Sequence, residues 1–290
     1  MPELPEVETL AADLRPHLVG RTVVTLDLRF PAIVRYPDPA LFTELVVGRR
    51  IEGLTRRGKY LLHDLSPDPS PASGGGEPPA QGERLLLVVH LGMTGQWRLV
   101  EPETPEPDHL HAVFGLDDGR QLRYRDVRRF GRLLAGTERE LLAARAIPRL
   151  GPEPLDPTFT AADLYGRLHG RRAPLKALLL DQGVVAGVGN IYADEACFRA
   201  RLRPDRRANT LSRRSVTRLR DALDSSLRQA IANRGSSVAT YRDAWGEIGG
   251  EQERLQVYGR AGLPCPRCGR PLSLVRLAGR STVFCRRCQR

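Results

Sequence analysis

The stretch "CPRCGRPLSLVRLAGRSTVFCRRC", residues 265–288, decides how the end of this chain folds. Two Cys-x2-Cys pairs, Cys265/Cys268 and Cys285/Cys288, flank sixteen residues. That is the spacing of a four-thiolate zinc site, because each tight turn delivers two soft ligands and a hairpin can bring the two pairs together. Leu272, Leu274 and residues 282–284 supply the hairpin, with residues 278–280 near its tip. The competing reading is a pair of disulfides in an exported protein. The chain opens with neither a basic start nor an apolar signal stretch, and Cys197 is left over as an odd thiol, so zinc is the better reading. Four thiolates leave no open coordination position. One structural Zn2+ is therefore expected, and a metal-hydrolase reading is disfavoured.

Moving outward, the charge is unbalanced. The chain has 290 residues, a net charge of +11 and a pI near 10.1. A polyanionic partner follows, nucleic acid first, and the basic charge is gathered in places. Residues 254–290 hold nine arginines and no acid, and residues 121–132 hold five arginines against Asp126. Of 45 basic residues only Lys59 and Lys176 are lysine. A lysine is a compact point charge and a potential amine base where arginine is a planar fork, so both lysines are candidates for a role. No run of about 18 apolar residues exists, so no membrane span is expected, and the absence of an export signal implies a cytoplasmic protein.

The pattern along the chain changes midway. Leu4, Val7, Leu10, Ala11, Leu14 and Leu18 make one apolar face of a first helix. Strand patterns follow: alternation over 24–30, an apolar run over 85–89, and 111–116 with 121–125 joined through Asp118-Gly119 as a hairpin. Residues 66–83 are half proline and glycine and read as a flexible insertion. Beyond Gly151-Pro152-Glu153-Pro154 the pattern turns helical, with helices predicted at 159–168, 176–180, 191–202 and 213–232. Ser212 caps the last, and Gly235 lies just past its end. In "DQGVVAGVGNIYADEA", three glycines precede a helix that Asn190 could cap. That turn is equally readable as a phosphate site at a helix N-terminus or as a plain packing turn.

"MPELPEVE", "RRGKY" at 56–60, "HLGMTGQ" from His90, "DVRRFG" from Asp126, "GVGNIYADE" and the four-cysteine finger occur in one order. This sequence resembles the bacterial formamidopyrimidine-DNA glycosylases of the formamidopyrimidine-DNA glycosylase/endonuclease VIII family, over essentially the whole chain except residues 66–83. The resemblance implies an α+β fold. Residues 1–150 would form an N-terminal catalytic β-sandwich flanked by helices. Residues 151–250 would form a helix–two-turn–helix domain with a lesion-covering loop near 235–250, and 251–290 the zinc finger. DNA would run through the cleft between the halves.

The resemblance also implies a chemistry. Met1 is removed and Pro2 becomes a secondary-amine nucleophile. Glu3 matches the general acid, and Glu6 another acidic position in the pocket. Both glutamates equally suit the positive end of the helix dipole. Met93, Arg128 and Phe130 match residues that fill the space left by an extruded nucleotide, although a methionine and a phenylalanine are also ordinary core residues. Lys59, His90, Arg129, Asn190 and Arg280 match phosphate-gripping positions, with Lys59 and Arg280 counted in the catalytic set. Lys176 matches a lysine linked to handling the damaged base. The implied activity is a bifunctional glycosylase/AP lyase that excises oxidised purines from double-stranded DNA through a Schiff base and β,δ-elimination, working as a monomer in the bacterial cytoplasm at the nucleoid. The alternatives are an endonuclease VIII-like enzyme for oxidised pyrimidines and a non-catalytic zinc-ribbon DNA-binding protein.

Overall fold

The computed structural model describes residues 1–67, 84–238 and 240–290. Most of the Pro/Gly insertion, residues 68–83, therefore lies outside the described residues. The chain divides into two compact units. One comprises Met1–Pro2, Glu6–Pro148 and Ser236–Gly249; the other comprises Glu3–Pro5, Arg149–Gly235 and Gly250–Arg290.

The first unit is a two-sheet sandwich. Its elements are α1 (Leu4–Leu18, whose first two residues are grouped with the second unit), β1 (Val23–Leu28), β2 (Val34–Tyr36), α2 (Pro39–Val46), β3 (Ile51–Arg57), β4 (Tyr60–Leu65), β5 (Leu85–His90), β6 (Gly95–Val100), β7 (Leu110–Leu116), β8 (Gln121–Asp126), β9 (Arg132–Thr137) and α3 (Glu138–Ala143). One sheet has the order β1-β7-β8-β6; the other has the order β2-β9-β5-β4-β3, with β2 parallel to β9. The core between them takes Val7, Leu10, Leu14 and Leu18 from α1, Trp97 and Phe114 from one sheet and Leu61, Leu87 and Leu133 from the other. From Val7 onward the stripe predicted for the first helix is thus the face that closes this core, whereas Leu4 is buried in a separate cluster with Ile191 and Tyr192, and the predicted hairpin is β7–β8. Helix α2 was not foreseen; Asp38 caps it through the amides of Ala40 and Leu41, and Pro39 opens it.

Residues 236–249, which the sequence grouped with the helical segment, pack with this first unit. Tyr241 and Ala244 are buried in the sandwich core, the Tyr241 hydroxyl donates to the Glu6 carbonyl at 3.2 Å, and the Gln96 side-chain amide donates to the Thr240 carbonyl at 3.0 Å.

The second unit holds α4 (Ala161–Leu168), α5 (Leu175–Leu180), α6 (Asn190–Arg199), α7 (Arg213–Ala232) and the hairpin β10 (Ser273–Leu277)–β11 (Arg280–Phe284). Ser212 caps α7 by accepting from the Ser215 amide, and Val216, Leu219 and Leu223 bury its stripe against Val188, Ala193 and Cys197. A smaller core of Phe198, Val257, Leu272 and Val283 surrounds Cys265 and Cys285 and seats the finger on α6.

Candidate active site and zinc centre

The four cysteine sulfurs all lie within 4.8 Å of one another, with Cys265–Cys288 at 3.9 Å and Cys268–Cys285 at 3.6 Å. Four thiolates at Zn–S distances of about 2.3 Å around a tetrahedral ion sit about 3.8 Å apart, so the donor set fits one zinc. The tip of β10–β11 is a two-residue turn, Ala278-Gly279, with both φ positive, and it brings Leu277 opposite Arg280. Arg280 is therefore held, exposed, at the start of a strand anchored by the metal site.

Glu3 is almost fully buried. Its carboxylate accepts the Gly189 amide at 2.8 Å, the Ile191 amide at 2.9 Å and the Tyr192 amide at 3.3 Å. Those are the unpaired donors of the α6 N-terminus, so a carboxylate from the other end of the sequence caps this helix. The phosphate-site reading of the glycine turn is thereby corrected, as is Asn190 as cap: Gly189 holds the cap position and Glu3 satisfies the amides. A Cβ on Gly189 would lie 2.3 Å from the Glu3 Cδ, so the close approach needs glycine.

Asn190 is left free for other work. Its side chain hydrogen-bonds Tyr258, whereas its Oδ1 is buried without a partner. Tyr258 was missed by sequence reasoning. Burial raises its phenol pKa, and Glu3, Asp194 and Arg280 act on it electrostatically, which places Glu3, Asn190, Tyr258 and Arg280 in one neighbourhood of the second unit. The turn that carries Tyr258 is fixed by buried Glu195, which accepts the amides of Gln256, Val257 and Tyr258 at 2.9–3.1 Å. No spacing marked this glutamate, because Glu195 stands four residues before Arg199, as an ordinary surface ion pair would.

Lys176, which the resemblance links to handling the damaged base, is buried beside Asp194, one of the groups that act on Tyr258. Neither it nor Asp194 has any exposed side chain, and the two pair at 2.7 Å. The remaining ammonium protons go to the Ser281 carbonyl at 2.8 Å and the Thr282 hydroxyl at 2.9 Å. The ammonium is thus fully enclosed, held by an ion pair and two hydrogen bonds. Burial pushes the Asp194 carboxyl up to about 6 despite the lysine, and its Oδ2 accepts the Val283 amide at 3.0 Å. The pair clamps β11, and hence the strand that starts with Arg280, to α5 and α6.

In the first unit, Pro2 is buried beside an exposed Met1, and Glu6 is buried with its Oε1 accepting the Ser236 amide at 2.7 Å. Lys59 sits at the β3–β4 turn and is nearly fully buried. His90 ends β5, half-buried against the Tyr60 ring at 4.7 Å. Burial, with Lys59 and Arg132 nearby, pushes its imidazole down to about 4, so it is neutral at physiological pH. The Gly92 amide donates to Nδ1 at 3.2 Å, which puts the proton of the neutral ring on Nε2. Met93 is half-buried, whereas Arg128, Arg129 and Phe130 are exposed. The Arg128 guanidinium lies 4.6 Å from the Phe130 ring centroid, and Arg129 lies 4.5 Å from that of Phe30.

A sandwich behind an N-terminal helix, a helical segment whose glycine turn closes on a carboxylate, and a four-thiolate finger are the parts of a zinc-finger DNA-repair enzyme. Residues 1–133 match the formamidopyrimidine-DNA glycosylase N-terminal domain, 150–242 the formamidopyrimidine-DNA glycosylase H2TH domain, and 262–290 the zinc finger found in FPG and IleRS. A formamidopyrimidine-DNA glycosylase of Moorella thermoacetica is 50% identical over 276 residues, covering 95% of each chain. The MutM (Fpg) protein of Thermus thermophilus superposes with a TM-score of 0.84 at 44% identity, covering 99% of this chain and 98% of that one. A Lactococcus lactis Fpg variant in complex with DNA containing Fapy-dG superposes with a TM-score of 0.87 at 33% identity over the full length of both. The chain belongs to the formamidopyrimidine-DNA glycosylase family, DNA glycosylases of base excision repair. Its finger is the family's zinc site, and among the described residues no helix is long and apolar enough to cross a membrane.

Proposed function

We propose that this chain excises oxidised purines, 8-oxoguanine and ring-opened formamidopyrimidines, from double-stranded DNA and then cleaves the strand by β,δ-elimination. The observation that carries the reading is Glu3, one residue beyond Pro2, with its carboxylate fixed by three helix amides. Once Met1 is removed, Pro2 offers a secondary amine. An α-amino group titrates near ~8 and a lysine near ~10.4, so the terminal nitrogen has far more neutral form at pH 7. Its attack on C1′ expels the base. The Glu3 carboxylate takes the proton that the amine loses on bonding to C1′ and returns it to the sugar ring oxygen as the C1′–O4′ bond opens, so the nitrogen lone pair forms a cationic iminium, while the expelled base takes its proton from water. That cation accepts the electrons of the C2′–H bond, so the 3′ phosphate leaves, and then the 5′ phosphate.

The other residues serve substrate positioning. Lys59, neutral His90 through Nε2–H, Arg129, Asn190 and Arg280 grip phosphates, while Met93, Arg128 and Phe130 fill the space left by the extruded nucleotide. Glu6 lies in the damaged-base pocket. Zinc fixes the finger and takes no part in bond breaking. The enzyme works as a monomer, in the cytoplasm at the nucleoid.

Borohydride added during reaction with an 8-oxoguanine duplex tests this. A covalent adduct mapping to Pro2 is the expected result, with strong loss in Pro2→Gly. An adduct at another residue, or none with enzyme lacking Met1, overturns the mechanism. Faster processing of thymine glycol than of 8-oxoguanine would move the substrate to the oxidised pyrimidines.

A further inference from the structure

The connections β5–β6 and β8–β9 each cross from one sheet of the sandwich to the other. Their strands are neighbours at both ends, with His90 paired to Arg132 and Gly95 to Asp126. The first connection carries Met93, the second Arg128 and Phe130. Between them lies Asp126, which is fully buried. One of its carboxylate oxygens accepts the Thr94 hydroxyl and, at 3.2 Å, the Arg128 amide; the other accepts the Gly131 amide at 2.7 Å. The Thr94 oxygen in turn accepts the same Arg128 amide at 3.0 Å. The two backbones also touch, since a Cβ on Gly92 would lie 2.5 Å from the Phe130 carbonyl carbon.

We infer that the Thr94–Asp126 pair is a positioning device that locks the Met93 turn and the Arg128–Phe130 loop into one rigid wedge. It rests on the reading that these three side chains enter the space left by the extruded nucleotide. Phe130 is 52% exposed, and its main company at the tip is the Arg128 guanidinium. A side chain that must push into a base stack gains nothing from its own surroundings before it arrives. Its direction is set at the base of the loop, where a buried carboxylate satisfied by three donors has one arrangement available. Thr94 is the bridge, because its hydroxyl is both donor to Asp126 and acceptor from the Arg128 amide, and it belongs to the other connection.

The test follows extrusion by stopped-flow fluorescence of 2-aminopurine placed beside an 8-oxoguanine. Asp126 variants leave a buried hole in the sandwich, so Thr94→Val, which keeps shape and removes the hydroxyl, is the informative change. Extrusion is expected to slow about tenfold in Thr94→Val, the scale of a small misplacement of a working group, and to recover in Thr94→Ser. Cleavage of a single-stranded abasic oligonucleotide, which needs no wedge, stays at the wild-type rate, whereas general structural damage would lower both. Combined with Phe130→Ala, the Thr94→Val effect largely disappears instead of multiplying. Wild-type extrusion in Thr94→Val, or full multiplication with Phe130→Ala, overturns the inference. Wild-type extrusion in Phe130→Ala alone overturns the wedge reading on which it stands.

Discussion

Lys176 and Asp194 face each other at 2.7 Å with neither side chain exposed, and both reach on to the strand that begins with Arg280. Taking one partner away leaves the other charge buried. Lys176→Ala should therefore destabilise the second unit by about 3–5 kcal/mol, while a paired Lys176→Met/Asp194→Leu change should recover much of that loss. Thermal unfolding with zinc release as a second signal checks both. Lost activity should track loosening of the finger, with weaker DNA binding and unchanged preference among damaged bases. A Lys176→Ala enzyme of full stability and zinc content whose base preference alone has changed would show that the ammonium reaches substrate.

His63 gives a pH dependence with a definite sign. Its Nδ1–H donates to the Leu87 carbonyl at 3.2 Å and its Nε2 accepts from Trp97 at 3.3 Å, all inside the sandwich. Burial pushes the imidazole from 6.5 down to about 4. Between those values the unfolded chain binds a proton that the folded chain refuses. Stability from this group is complete above pH 6.5 and is lost as pH falls to 4, on the order of 3 kcal/mol in all. Urea midpoints at pH 7 and 4.5 should converge in His63→Gln relative to the parent. Equal pH slopes in the two proteins would remove His63 from the account.

Zinc removal should act locally. The sandwich has its own core, whereas the finger core is Phe198, Val257, Leu272, Val283 and the cysteines themselves. Chelation or Cys265→Ser should abolish hydrogen-exchange protection across 262–290 and leave 85–137 protected. DNA affinity should fall as well. The slope of its logarithm against log salt should shrink by about one for each phosphate that Arg280 and its neighbours no longer neutralise. Protection lost in both units together would mean that the metal holds more than the finger.

These cases show what the sequence could and could not reveal. Periodic burial was legible: α7 with its Ser212 cap, the first-helix stripe and the β7–β8 hairpin follow from residues a few positions apart. The cysteine spacing revealed the finger because tetrahedral zinc dictates it. Partners far apart in the chain were illegible. Nothing near Asn190 announces that Glu3 caps its helix, and nothing near Lys176 announces Asp194 and Thr282 as its company. The family resemblance supplied site residues by position, which is blind to burial, and so it linked Lys176 to the damaged base with no sign that its side chain is fully enclosed. Tyr258 and Thr94 escaped notice, and Asp126 was read only as an acid among arginines, because their contacts are hydrogen bonds to backbone amides or to other side chains, which leave no spacing to read.

Gly189 offers the most direct test of the Glu3 arrangement. A methyl group there would lie 2.3 Å from the Glu3 Cδ and 2.5 Å from Oε1, so Gly189→Ala must push the carboxylate off the α6 amides. Those amides then lose their cap, worth about 1 kcal/mol, and the acid loses its position. Single-turnover base excision should fall about 10- to 100-fold, since misplacing a reacting group costs far more than the cap itself. Gly166, in the middle of α4, is the matched control: a Cβ there meets nothing within 4 Å. Gly166→Ala should leave excision unchanged and raise stability by about 0.5–1 kcal/mol. Comparing excision on an 8-oxoguanine duplex with thermal midpoints separates the two effects. If Gly189→Ala excises at the parental rate while its midpoint drops, Glu3 is a helix cap and nothing more, and the proton it is proposed to deliver must come from another group.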